Sequence, residues 1–277
     1  MNRYTDLHAH SNHSLDGTFT VETMAKKAIE LDLAVFCLTD HCDYYPLDCE
    51  RDDGFRLPDP SLPIKKATEE LRSLKTTLPQ TQTKLLAGVE LGQPTQDETR
   101  AKEFLSEYDL DFVIGSLHNL AYEDDFYFMD FTKVDLQAVF DRYFDELIEM
   151  TEQNLFDVVG HITYPWRYLE GNYGLKFSLD SFFPKIDHMF KILIKNGKGI
   201  EVNTSGLRQT ISTTMPNEEL ILRYKKLGGE IITVGSDAHD PEHVNLGIAQ
   251  AYEMIKQCGF DKITYFENRK PQYISLT

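Results

Sequence analysis

Residues 34–41 read Ala-Val-Phe-Cys-Leu-Thr-Asp-His, an apolar run of strand length that ends on two ionisable side chains. The stretch before it, Val21–Leu33, spaces its apolar residues for one face of a helix, and Thr20 precedes it as a cap. The same alternation recurs along the chain. Further strand-like runs are Tyr4–His8, Leu85–Leu91, Phe112–Leu117, Asp157–Ile162, Gly199–Asn203 and Glu230–Gly235. Between them lie helical patterns at Ile64–Thr76, Asp97–Tyr108, Val134–Gln153, Asp180–Lys195, Asn217–Leu227 and Glu242–Gln257. Ser61 stands as a cap before the Pro63 helix, and Gly197 and Gly228-Gly229 follow helix ends. Seven βα units without a break in composition predict one α/β domain over residues 1–277, a parallel barrel. Seven units where a TIM barrel has eight imply a missed strand or a distorted barrel, with an open doubly wound sheet as the alternative.

The ionisable residues fall at one end of these runs. His8 and His10 close the first strand, and Asp40-His41 follows the second. Glu90 ends the third, His118 the fourth and His161 the fifth, while Asp237 and His239 follow the seventh. In parallel barrels that edge carries the active site. Strand side chains alternate with period two, so the His8/His10 and Asp237/His239 pairs each point one way, about 7 Å apart. Imidazole and carboxylate together suit Zn, Fe or Mn and exclude a dedicated Ca or Mg cage. A multinuclear metal site is the expectation. His188 and His243 lie within helical patterns and are assigned no role.

Composition narrows the function further. The chain of 277 residues carries 28 basic and 45 acidic side chains, a formal charge of −17, which argues against a nucleic-acid partner. No apolar run is long enough for a membrane span, and the start, MNRYTDLHAH, has no signal-peptide core. Four cysteines, Cys37, Cys42, Cys49 and Cys258, form no framework and read as reduced thiols. The expected compartment is the cytoplasm. Residues 43–63 form a long acidic connection with Pro46, Pro58, Pro60 and Pro63, either a solvated loop or a lid over the site.

The set Asp6-x-His8-x-His10, Thr39-Asp40-His41, Glu90, His118, His161 and Asp237-x-His239 resembles the PHP (polymerase and histidinol phosphatase) family, in the family's order and over almost the whole chain. The resemblance implies a distorted seven-stranded (β/α)7 TIM-like barrel holding three divalent transition metals. It implies His8, His10, Glu90 and Asp237 on one metal, and Glu90 as a bridge to a second with His118 and His161. Asp16, His41 and His239 fall to the third, since Asp16-Gly17 matches the family's Asp-Gly. His13 stands where many members carry an aromatic residue, and is a candidate proton donor, a stray ligand or a loop residue, with the loop or a supporting position preferred to a ligand. Asp6 and Asp40 are expected to orient imidazoles.

Length and the segment Glu201–Arg208 resemble stand-alone histidinol-phosphate phosphatases. The implied reaction is hydrolysis of L-histidinol phosphate, a small phosphate ester, by hydroxide that the metals generate from water. The alternatives are a phosphodiesterase or exonuclease, although no Lys/Arg cluster offers a strand groove, and a phosphatase of another small phosphate ester. Arg167 and Arg208 are expected to clamp the phosphoryl group, with Ser205 and Asp43 as further substrate contacts. Tyr44, Tyr45, Tyr122 and Trp166 are candidates to stack on the substrate ring.

Overall fold

The computed structural model describes residues 3–46, 59–78 and 82–276. Its strands are β1 (Thr5–Asp6), β2 (Val35–Leu38), β3 (His41–Asp43), β4 (Lys84–Gly92) and β5 (Phe112–Ser116), followed by β6 (Val158–Val159), β7 (Gly199–Asn203) and β8 (Ile232–Gly235). All pair in parallel in the order β1-β2-β4-β5-β6-β7-β8, and β3 carries the line of β2 onward along β4. The ring closes just past the strand ends. Leu7 N donates to Val234 O (3.0 Å), Asp237 N to His8 O (2.7 Å), and Ala9 bridges Ala238 in parallel. The architecture is the seven-stave distorted barrel, and the seven predicted strands are its staves.

Period-two alternation sorts each strand between two layers. Val35, Cys37, Leu86, Phe112, Ile114 and Val158 fill the lower interior, while Phe36, Leu38, Val89, Val113, Val159, Ile200 and Val234 face the surrounding helices. Continuing the inward parity upward reaches Glu90 on β4 and Glu201 on β7, both buried. Gly235 makes room for them. A Cβ there would sit 2.2 Å from His8 Cβ and 2.6 Å from Glu201 Oε1, so only glycine fits between strand and site.

The helices are α1 (Val21–Glu30), α2 (Ser61–Thr77), α3 (Glu98–Glu107), α4 (Leu136–Gln153), α5 (Tyr164–Leu169), α6 (Phe183–Lys195), α7 (Glu218–Lys226) and α8 (Ile248–Gln257). Thr20 caps α1 through Thr23 N as expected. Ser61 does not cap α2. It is the first helical residue, and Asp59 Oδ1 accepts its amide (3.0 Å) and hydroxyl (2.8 Å). The final helix is shorter than its pattern, because Asp6 Oδ2 takes Asn245 N (2.8 Å) and turns the chain through left-handed Asn245 and Gly247. The short α5 and a closing hairpin, β9 (Lys262–Glu267) and β10 (Lys270–Ser275), were not expected. Among the described residues no helix is long and apolar enough to cross a membrane. The proposed lid falls largely on residues 47–58, which lie outside the described residues, as does Cys49.

The hairpin closes the foot of the barrel. Phe266 stacks on Phe112 (centroids 5.3 Å apart), and Arg269 reaches the buried Asp157 (2.5 Å) beside Lys198 (3.4 Å) and Val113 N (2.9 Å). Asp157→Ala strands the amide and removes the shared anion, so it is expected to cost about 2–3 kcal/mol. Urea unfolding checks this, and a midpoint equal to wild type would show that the foot carries no stability.

Candidate metal centre and cavity

The upper mouth of the barrel opens into a cavity of about 810 Å³. Parallel register sets His41 beside Glu90, and the strand ends bring the other imidazoles around that carboxylate. Glu90 Oε1 lies 2.7 Å from His161 Nε2, 3.1 Å from His118 Nε2 and 2.6 Å from the hydroxyl of Ser116. Oε2 lies 2.8 Å from His41 Nδ1, 3.3 Å from His8 Nε2 and 3.6 Å from His10 Nε2. Asp237 Oδ1 is 3.4 Å from His10 Nε2 and 3.9 Å from His8 Nε2. Asp16 joins His239 (3.1 Å) and His41 (3.7 Å). Every member of the three expected ligand sets thus lies within 4 Å of another member of its set.

These groups are close but not paired. His8 Nε2, His10 Nε2, His41 Nδ1, Glu90 Oε2 and His239 Nε2 are all buried without an aligned hydrogen bond. Burying so many polar atoms unsatisfied is costly unless a cation collects them. Three overlapping groups have ligand atoms within 4.8 Å of one another: His8/His10/Glu90, His41/Glu90/His118 and His10/His41/His239. The donor chemistry therefore fits divalent transition metals.

The opposite ring nitrogens fix this arrangement. Glu201 Oε1 takes His8 Nδ1 at 2.6 Å, and its Oε2 takes His161 N at 2.9 Å, so one carboxylate orients two strand ends. Ser14 Oγ donates to Asp40 Oδ1 (2.7 Å) and is left to accept from His10 Nδ1 (3.1 Å) and His41 N (3.1 Å). Asp43 Oδ1 faces His118 Nδ1 at 3.1 Å. The three Nδ1 contacts direct the ring protons of His8, His10 and His118 away from the centre and turn their Nε2 lone pairs inward.

Electrostatics follow from the crowding. Burial opposes a charge on Glu90, but His8, His41 and His118 overcome it and hold the carboxyl well below its ordinary range. Burial likewise opposes charge on His8, yet Glu201, Glu90 and Asp237 raise it well above the usual imidazole value. For His41, Glu90 outweighs burial and pushes the ring up to about 9. His10 goes the other way, through burial and the like charges of His239 and His41, whose rings stack on it at 4.0 and 4.3 Å.

Several expected roles are displaced. His13 does not line the cavity, since its Nε2 pairs with Glu70 at 3.1 Å. Ser205 is buried with its hydroxyl on Asn203 Oδ1 (2.7 Å), also away from the lining. Asp6 touches no imidazole; it anchors Ser236 (2.8 and 2.6 Å) and Asn245. Asp40 acts on His10 only through Ser14. Tyr44 and Trp166 are core side chains, and Tyr122 is exposed outside the lining, whereas Tyr45 lines the cavity. His243, assigned no role, also lines it.

The two arginines of the wall differ. Arg208 donates to Ser236 O (2.6 Å) and Asp237 O (2.7 Å), holding a loop in which Asp237 is left-handed (φ 55°). Arg167 lies 5.4 Å from the centre of the Tyr168 ring and makes no hydrogen bond to the protein among the described residues.

Residues 6–205 match the PHP domain. The chain belongs to the PHP family. Its PHP barrel spans curated relatives nearly end to end. It is 26% identical over 272 residues to a probable histidinol-phosphatase of Clostridium acetobutylicum, covering 97% of this chain and 98% of the relative. It is also 26% identical to the histidinol-phosphatase of Lactococcus lactis, covering 96% and 95%. A crystal structure of the Lactococcus lactis histidinol phosphate phosphatase, complexed with zinc, L-histidinol and phosphate, superposes with a TM-score of 0.78. Coverage is 98% of this chain and 99% of that one, at 23% identity. That likeness confirms the PHP barrel as the fold. Two wall features of this PHP site went unread in the sequence. Glu201 sat inside an apolar strand, where only its inward parity marks it, and Asp125 with Tyr164 lay in connections with no periodic pattern.

Proposed function

We propose that this chain, as a single unit over residues 1–277, is a metal-dependent phosphomonoesterase that hydrolyses L-histidinol phosphate to L-histidinol and phosphate. The observation that carries the reading is the convergence of unpaired imidazole and carboxylate atoms on a cavity that also presents Arg167. The relatives' histidinol-phosphatase names supply the substrate. His8, His10, Glu90 and Asp237 would hold one metal, Glu90, His118 and His161 a second, and Asp16, His41 and His239 a third. Bound there, Zn, Fe or Mn ions supply Lewis acidity and positive charge for phosphoryl transfer. Glu90 would serve both of the first two sets, a common anion for their imidazoles. Arg167, its donors uncommitted, takes phosphoryl oxygens and offsets the repulsion expected from a chain of charge −17. Arg208 holds the Asp237 loop and acts through it. The buried free thiols of Cys37, Cys42 and Cys258 accord with a cytoplasmic reaction.

The test is phosphate release from histidinol phosphate by metal-loaded protein, against a labelled oligonucleotide. Cleavage of the oligonucleotide with no phosphate release would overturn the reading in favour of a phosphodiesterase.

Metal uptake should release protons. His41 is pushed up to about 9 by Glu90 and so carries a proton near pH 7.5 that a cation must displace, and the carboxylates around His8 and His118 shift those rings in the same direction. Apparent affinity should therefore climb as pH rises towards about 9 and weaken in acid. Calorimetry of zinc binding in buffers of different ionisation enthalpy measures the release. A binding heat independent of buffer would show that these imidazoles are already neutral before the metal arrives.

A further inference from the structure

Asp125 differs from the other carboxylates of the cavity. Asp16, Asp43, Glu90 and Asp237 each face an imidazole, whereas Asp125 makes no ion pair among the described residues. Its Oδ1 accepts from Tyr127 N (2.6 Å) and from the Tyr164 hydroxyl (3.1 Å), while among the described residues Oδ2 has only the longer Tyr164 contact at 3.4 Å. A carboxylate offers about four lone-pair directions, so Oδ2 keeps room for a further donor. Tyr164 is spoken for: its hydroxyl lies 2.8 Å from that of Tyr168, and its ring packs on His118 and His161 at 5.1 and 5.0 Å. Arg167 lies over Tyr168, at the other end of the same tyrosine pair. The wall thus carries a guanidinium at one end and a spare carboxylate oxygen at the other, with the imidazole cluster alongside. At the rim next to Asp125, Tyr127 and Phe128 are 61% and 72% exposed, an apolar border that strengthens a charge contact behind it.

We propose that Asp125 binds the primary ammonium group of an aminoalkyl phosphate whose phosphoryl end lies at the imidazole cluster and Arg167. The inference rests on the phosphomonoesterase reading and deepens it by naming the group that selects the substrate. Histidinol phosphate carries its amine on the carbon next to the ester carbon, so its cation and anion are close enough to meet one wall. Tyr164 is the positioning residue, since its ring packs on His118 and His161 while its hydroxyl holds the Asp125 carboxylate. Asp43, expected from the sequence as a substrate contact, is instead engaged with His118.

The experiment compares two esters on the metal-loaded full chain, histidinol phosphate and its analogue with hydrogen in place of the amine. A hydrogen bond to a charged group is worth roughly tenfold to a hundredfold, so wild type should prefer the amine-bearing ester by about 30-fold in kcat/KM. In Asp125→Asn, which keeps an acceptor for Tyr164 and Tyr127, the preference should collapse to about threefold or less. An unchanged preference in the variant, whatever its absolute rates, would overturn the proposal, because a merely structural Asp125 slows both esters alike. Calorimetric binding of L-histidinol and of its deaminated analogue to wild type supplies a second reading that needs no variant. Equal affinities would overturn the subsite even if Asp125→Asn failed to fold. Absence of phosphate release from either ester would defeat the phosphatase reading, and the binding comparison would still decide the ammonium subsite.

Discussion

Glu90→Gln is expected to lower kcat for histidinol phosphate by roughly a thousandfold and to cut the bound-metal content, the largest loss from any single site substitution. The reason is the number of groups that share this carboxylate. Its two oxygens lie within 3.6 Å of His8, His10, His41, His118 and His161, so it belongs to two of the proposed metal sets. Glutamine preserves shape and keeps Ser116 a partner, so the barrel should still fold. It removes the anion, however, and turns an amide N–H towards groups that need an acceptor. A single imidazole replaced by Ala weakens one set and leaves the bridge. Metal analysis beside steady-state kinetics tests the difference. Near-normal turnover with a full metal complement in Glu90→Gln would refute the bridge.

The barrel was legible because each stave carries an apolar run, and all but β7 carry ionisable residues where the chain leaves the strand. Val35–Leu38 followed by Asp40 and His41 shows both, and parallel register then forces His41 next to Glu90. Asp16 was reachable only through the family resemblance, since it sits on an exposed loop with no periodicity around it. The closing hairpin was hidden because Asn268 and Arg269 make its turn without glycine, and Pro271 within β10 reads against a strand. The contacts that aim the imidazoles were least legible. Glu201 meets His8 across 193 residues, and only its inward parity on an apolar strand distinguishes it from a solvent-facing acid. Asp6 and Asp40 show the converse error. Asp40, next to His41, points to the opposite face of the chain, and Asp6 is taken up by the amides of Ser236 and Asn245, so both tie loops instead of rings.

The two arginines of the wall, expected from sequence to act as a pair, should separate in experiment. Arg167→Ala is expected to lower kcat/KM by about a hundredfold with kcat falling as well as KM rising, because phosphoryl charge redistributes in the transition state. Metal content should stay at the wild-type level, since Arg167 contacts Tyr168 and no proposed ligand. Arg167→Lys should recover only part of the loss, an ammonium lacking the paired donors that match two phosphoryl oxygens. Arg208→Ala should lose metal. Its guanidinium holds the carbonyls of Ser236 and Asp237, and without it the left-handed Asp237 can relax and carry both Asp237 and His239 away from their partners. Activity of Arg208→Ala should accordingly recover in part with excess zinc, whereas that of Arg167→Ala should not. Identical behaviour of the two variants, in metal content and in zinc rescue, would show that the carbonyl contacts of Arg208 are incidental and that both side chains serve the phosphoryl group.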